Sequence, residues 1–282
     1  SLLQEGFPDN DVLVYWPVHD SWAKFNDGKP LVQFAIHRLD TWLSGTSFYE
    51  TAHHLIKEGY GFDYISDRFL EKVNVENGIL QLPGGNYRSI VVPAVKYMPL
   101  KTLKKLINLR SMGASVVFLE IPESVPGFFD HQKRENELKV LAQDKVNKIY
   151  SLKEMEIPLK KAGVIQEVMV EKGLKFIRRD HQGEKTYYIV NHTPEKIEDF
   201  IPLGVEANEV LIMDPLNGKT GKAQTQTIGN KTQVKISLPS GGSLFLKTFD
   251  KINAPNWNYY KPTETAYKIK GNWNFKLIKG FL

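Results

Sequence analysis

The sequence predicts an α/β unit followed by an all-β unit, and three observations carry that reading. Residues 89–120 hold two continuous apolar, β-branched runs, at 90–92 and 116–119, as strands buried on both faces must be. Between them Leu100, Leu103, Ile107 and Met112 recur at helical spacing, while Lys101, Lys104, Lys105 and Arg110 leave a solvated face. This is a strand, helix, strand unit of the length a right-handed parallel crossover requires. From Val164 onward the pattern changes to short alternating or apolar runs at 168–170, 174–178, 186–190, 210–213, 232–236 and 244–248. Turn clusters at 180–183, 215–218 and 239–242 separate them, which predicts an antiparallel sandwich. Finally, 282 residues exceed a typical single domain, and 41% hydrophobic with 24% charged residues can bury a sizeable core. The expected units are 1–163, 164–252 and a stretch at 253–282 that is either a docked tail or the start of a further sandwich.

Taken in order, residues 11–16 form the first buried strand, ended by Pro17, with a polar loop at 19–29 beyond its carboxyl end. Leu31, Phe34, Ala35, Leu39 and Trp42 fall on one helical face. Ser47 with Glu50 makes a capping box for a second helix that carries Ala52, Leu55 and Ile56 and closes at Gly59. Residues 61–65 are the second strand. Val73, Val75 and Ile79 alternate around Asn77-Gly78, a strong short-range hairpin signal. In the central crossover Thr102 is the expected N-cap and Gly113 the left-handed C-terminal stop. A loop at 121–130 leads to a charged helix at 131–146 with Leu138 and Leu141 facing in, and a last strand and helix finish the unit before Gly163. In the tail, Trp257, Tyr259, Tyr260, Trp273 and Phe275 read as core filling ahead of sugar-stacking platforms.

Several function classes are excluded. The formal net charge of +5 is small and dispersed, so no nucleic-acid partner is expected. No run is long and apolar enough for a membrane span. The absence of cysteine removes disulfides and thiolate nucleophiles, including that of an amidotransferase. Gly59-Tyr60-Gly61 precedes a strand, so it is not a dinucleotide loop. Adjacent His53 and His54 cannot share a helical face as a metal pair, and no Gly-x-Ser-x-Gly elbow follows a strand. Asn191-His192-Thr193 matches a glycosylation acceptor, relevant only in a eukaryotic secretory pathway. The first residue is Ser rather than Met and no signal peptide is visible, which reads as a piece of a longer chain.

Ligands of open α/β sheets lie beyond the carboxyl ends of the strands. The candidates there are His19 and Asp20 after the first strand, Asp63, Asp67 and Arg68 at the second, Lys96 and Tyr97 after the third, and Glu120 after the fourth. Two carboxylates could do acid and base work on a glycosidic bond, whereas the plainer reading of Asp67 and Arg68 is a cap or ion pair opening a short helix.

Residues 11–20, 48–70 and 87–118 resemble the segment that follows the catalytic barrel in large bacterial α-L-rhamnosidases of glycoside hydrolase family 106. The stretches at 175–195, 210–221 and 238–246 are similar to the β-sandwich that comes next, and 272–277 to the opening strand of a further one. The resemblance implies a flavodoxin-like or amidotransferase-like open parallel sheet followed by an antiparallel β-sandwich. It also implies a polysaccharide-degrading parent enzyme, periplasmic or extracellular, whose acid and base glutamates and active-site calcium belong to a barrel outside this chain. No catalytic residue and no cofactor are assigned to these residues, and the partner implied is that barrel, with polysaccharide met indirectly. Two other readings stand beside it: a non-catalytic carbohydrate-binding or oligomerisation module, and an independent hydrolase acting through Asp63, Asp67 or Glu120.

Overall fold

The computed structural model describes residues 2–24, 37, 39–260, 265, 268 and 270–276. In chain order the first part contains β1 (Phe7–Pro8), β2 (Val12–Tyr15), α1 (Val18–Lys24), α2 (Leu39–Trp42), α3 (Ser47–Lys57), β3 (Phe62–Ile65), α4 (Asp67–Leu70), β4 (Asn74–Glu76), β5 (Ile79–Leu82), β6 (Gly85–Tyr87), β7 (Ser89–Val92), α5 (Leu100–Ser111), β8 (Ser115–Phe118), α6 (His131–Lys145) and α7 (Glu156–Lys161). The second part contains β9 (Leu174–His181), β10 (Glu184–Asn191), β11 (Ile197–Pro202), β12 (Glu209–Met213), β13 (Thr220–Lys222), β14 (Thr225–Ile228), β15 (Lys231–Leu238) and β16 (Ser243–Phe249). The result is a mixed α/β protein with one parallel sheet and several antiparallel ones.

The parallel sheet has the order β3-β2-β7-β8. Alternate residues of its strands feed two separate cores. On one face Leu13, Tyr15, Ile90, Val92 and Phe118 pack with Leu103, Leu106 and Leu109 of α5 and Leu138 and Ala142 of α6. On the other, Val12, Val14, Val91 and Val117 meet Phe48 and Leu55 of α3 and Leu159 of α7. Covered on both sides, β2, β7 and β8 carry apolar runs that do not alternate. A backbone bridge from Phe118 to Ile149 extends the edge of the sheet before α7.

Local signals explain most boundaries. Asn77 and Gly78, at φ 50° and 78°, make the expected tight turn joining β4 to β5, and β6 adds a third antiparallel strand that the sequence did not announce. The cap of α3 is Thr46, whose hydroxyl accepts from Tyr49 N; Ser47, expected to cap, instead accepts from Ala94 N at 2.9 Å and ties α3 to the loop after β7. The N-cap of α5 is Pro99, three residues before the expected Thr102; Pro99 carries a helix-compatible φ of −58° and its carbonyl accepts from the Thr102 amide. Of the helical face expected at 31–42, Leu39 and Trp42 lie in α2, while Leu31, Phe34 and Ala35 lie outside the described residues.

In the second part, β1-β9-β10-β16-β12-β13 form one antiparallel sheet and β11-β15-β14 another. Tyr187, Ile189, Val210, Ile212 and Leu246 from the first share a core with Ile201, Val234 and Ile236 from the second. The strand expected at 168–170 is a 3-10 turn, Val168–Lys172, held by the burial of Met169 and ended by Gly173 at φ 82°. Asn191 is fully buried and its amide donates to the carbonyls of Glu195, Leu238 and Pro239, so the sequence match there is no glycan acceptor. Trp257 and Tyr259 pack against this core as expected, but Tyr260, Trp273 and Phe275 are 70%, 77% and 88% exposed and fill none.

Candidate functional site

Strand order reverses between β2 and β7, and the switch point at their carboxyl ends is where an open α/β sheet places a ligand cleft. A cavity of about 220 Å³ lies there, lined by Trp16 and Pro17 after β2, Asp20 of α1, Trp42 of α2, Ser47 and Phe48 of α3, and Ala94 after β7. Trp16 leans on Phe48 at 5.3 Å between ring centroids, which makes its floor aromatic.

Asp20 closes one side of the cavity, where its carboxylate accepts from Lys96 N at 2.8 Å and Tyr97 N at 2.6 Å. That pair of charge-assisted bonds fixes the loop after β7, and the loop in turn accepts Glu123 N and Ser124 N on the Lys96 carbonyl. Lys96 itself points outward, with its ammonium 5.5 Å from the Tyr97 ring centroid.

Asp67 is neither a cap nor an ion partner of Arg68. Ser66 precedes α4, and the Asp67 carboxylate turns inward to accept the Tyr15 hydroxyl at 2.9 Å and the Thr102 hydroxyl, with His19 Nε2 at 3.5 Å. Burial pushes its carboxyl up, but the bonds from His19, Thr102 and Tyr15 outweigh it and hold the group below its ordinary value. The Tyr15 phenol moves the opposite way, raised by burial and by the adjacent carboxylate. Tyr15 and Thr102 were invisible as site residues; the available hint was a hydroxyl-bearing tyrosine ending an otherwise apolar strand, because a buried phenol needs a partner.

The other candidates scatter. Asp63 belongs to the opposite end of the sheet, where its Oδ2 accepts from Asn10 at 3.0 Å and Tyr87 at 2.9 Å, residues that precede β2 and β7. Arg68 and Glu120 are exposed. Asp63, Asp67 and Glu120 therefore form no facing acid and base pair, and among the described residues no three His, Asp or Glu side chains converge as metal ligands would. Nor is any described helix long and apolar enough to cross a membrane. His53 is exposed, whereas His54 is partly covered with its Nε2 3.6 Å from Glu156.

Two features escaped the sequence reading. Phe128 and Phe129 are 99% and 84% exposed in the loop after β8, on the same end of the sheet as the cavity. Their loop is pinned by Arg134, which donates to the carbonyls of Pro126, Gly127 and Phe129. At the far end, Arg178 of β9 is buried among carboxylates, bonded to Asp9 at 2.6 Å, Glu167 at 2.7 Å and Asp11 at 3.1 Å. Arg88 also reaches Asp11, and Lys185 reaches Asp9, so three cations face three carboxylates across the junction between the two parts.

The molecule is thus an open parallel sheet, with Asp20 and Asp67 bonded within the fold at its carboxyl end, joined to antiparallel sheets through a buried ionic junction. The chain belongs to the α-L-rhamnosidases of glycoside hydrolase family 106, whose family model matches residues 36–227. Among solved structures it is similar to a rhamnosidase from Novosphingobium sp. PP1Y, with a TM-score of 0.67, 21% identity and 95% of this chain covered. The chain spans 25% of that protein's length. It is also similar in fold to a β-galactosidase from Bacillus circulans sp. alkalophilus, with a TM-score of 0.51 and 12% identity over 88% of this chain and 42% of that one. No curated protein matches the chain.

Proposed function

We propose that this chain is the accessory C-terminal region of an α-L-rhamnosidase acting on rhamnose-containing polysaccharides, and that the open end of its parallel sheet seats on a catalytic barrel of the same polypeptide. In this reading residues 1–163 are a flavodoxin-like or amidotransferase-like unit, 164–252 an antiparallel β-sandwich, and 253–282 a docked tail or the opening of another sandwich. The β3-β2-β7-β8 order supports the first assignment and the core shared by two antiparallel sheets the second. The acid and base glutamates and the calcium stay with the barrel, in a periplasmic or extracellular enzyme, and the chain alone turns over no rhamnoside.

One observation carries the docking: Phe128 and Phe129 stand in solvent on a loop that Arg134 holds rigid, beside carboxylates whose bonds are already made within the fold. Adjacent, fixed and exposed phenylalanines are the mark of a covered surface, and burying each is worth about 1.5–3 kcal/mol. In the full-length enzyme, Phe128→Ser with Phe129→Ser should lower the melting temperature and open the boundary before residue 1 to protease. A doubly substituted enzyme with unaltered melting, proteolysis and kinetics would refute the docking. Should the double substitution instead dissociate an oligomer of the isolated chain, the oligomerisation reading takes its place.

A further inference from the structure

A second cleft lies in the antiparallel part, far in sequence from the rim. Segment 255–258 runs beside β13, with Lys222 N donating to the Pro255 carbonyl and Trp257 N to the Lys222 carbonyl, each at 2.8 Å. Gly221 permits that approach: a Cβ there would stand 2.7 Å from Trp257 Cα. Between this segment and the turn joining β12 to β13 is a cavity of about 330 Å³, at the lower end of the range for small-ligand sites.

Its walls combine two aromatic rings with carboxamides. Trp257 is half-buried, its body packed on the core, and Tyr260 is 70% exposed with its hydroxyl 3.1 Å from Lys219 Nζ. The facing turn is rigid: Asp214 accepts from Leu216 N and from the Asn217 amide, and Asn217 accepts from Lys219 N. Asn256 and Asn258 line the same space, and their side chains make no hydrogen bond among the described residues. Flat apolar rings beside unspent planar amides suit a ligand with one apolar face and a rim of hydroxyls, which is the surface of a pyranose. A phosphorylated ligand is poorly served, because among the described residues Lys219 is the single cation lining the cleft and Lys222 nearby is paired with Glu209.

We infer that the cleft between the β12–β13 turn and segment 255–260 binds a pyranose unit of a glycan, with Trp257 and Tyr260 as stacking surfaces and Asn256 and Asn258 as hydroxyl partners. This site is separate from the rim proposed to meet the barrel and is tested on this chain alone, so either reading can fail without the other. The probes are methyl α-L-rhamnopyranoside, methyl β-D-galactopyranoside and D-galacturonate, each titrated to high millimolar concentration against the 15N-labelled chain. At least one should give saturable shifts confined to residues 214–220 and 255–260, and Tyr260→Ala should weaken it by about two- to tenfold. Trp257 is left intact because its indole supports the core; Asn258→Ala, at an exposed position, is the second variant and should also weaken binding. The inference is overturned if none of the three sugars shifts these residues, or if the affinity survives both substitutions in chains whose spectra remain dispersed.

Discussion

The two ends of the parallel sheet solve opposite problems with the same residue types. At the amino end, Asp9, Asp11 and Glu167 are drawn around Arg178, whose side chain is 1% exposed, and the antiparallel sheets are locked on. At the carboxyl end, Asp20 and Asp67 accept amide and hydroxyl protons, hold two loops in place and leave a cavity and two phenylalanines facing outward. Buried ions with displaced titration are often read as a catalytic signature. Here the most deeply buried charges are the ones that weld the halves together, and the end available for interaction is the one whose carboxylates accept from backbone amides, hydroxyls and, at Asp67, His19.

Breaking the weld should produce the largest effect. Arg178→Met leaves three carboxylates facing one another without their central cation, and removing one partner of such a cluster costs about 3–5 kcal/mol. Urea unfolding should register that loss, and the two halves should then melt separately; a single unshifted transition would mean that the junction contributes little.

The rim should be cheaper to disturb. Asp67→Asn replaces a carboxylate that accepts from two hydroxyls and from His19, and is expected to cost about 1–3 kcal/mol at neutral pH. The folded carboxyl titrates below its ordinary value, so its stabilisation is fully present above the unfolded-state pKa and disappears as pH falls through the folded one. The gap between parent and variant should therefore close on acidification, which denaturant midpoints taken from pH 7 downward will measure. A gap independent of pH would transfer the effect from charge to packing.

Tyr87→Phe sharpens the contrast at smallest cost. It deletes one donor to Asp63 at the amino end without leaving a buried ion, and should lower stability by about 0.5–1.5 kcal/mol in thermal or urea unfolding. A loss as large as that of Arg178→Met would show that the amino end depends on all its polar contacts and not on its central guanidinium.

What the chain declares locally was legible: the apolar runs of β2, β7 and β8, the Asn77-Gly78 turn, and the glycines that end α3 and α5. What depends on distant partners was not. Asp9 and Arg178 are 169 residues apart, and nothing near either announces the other. Asp67 carries a local signal for a helix start, yet Tyr15 and Thr102, 52 and 35 residues away, compete for the same carboxylate and win because they are buried beside it. The cleft beside Trp257 was half visible, since its aromatics were evident but the glycine that lets the tail approach β13 was not read as making room for it.

The pairing of β1 with β9 also has a consequence for biosynthesis. Phe7 and Pro8 find their partners at Asp180 and Arg179, so the leading segment leaves the ribosome long before the strand it must join. At about 5–20 residues per second, the 169 residues between Asp9 and Arg178 represent a delay of roughly ten to thirty seconds. During that interval the nascent parallel sheet can assemble around β2, β3, β7 and β8, but its amino end stays open, with Asp9 and Asp11 still hydrated. Closing that amino end thus waits for the chain to return to residues 7–11, and a pause in translation before residue 174 would hold the parallel sheet in that half-closed state.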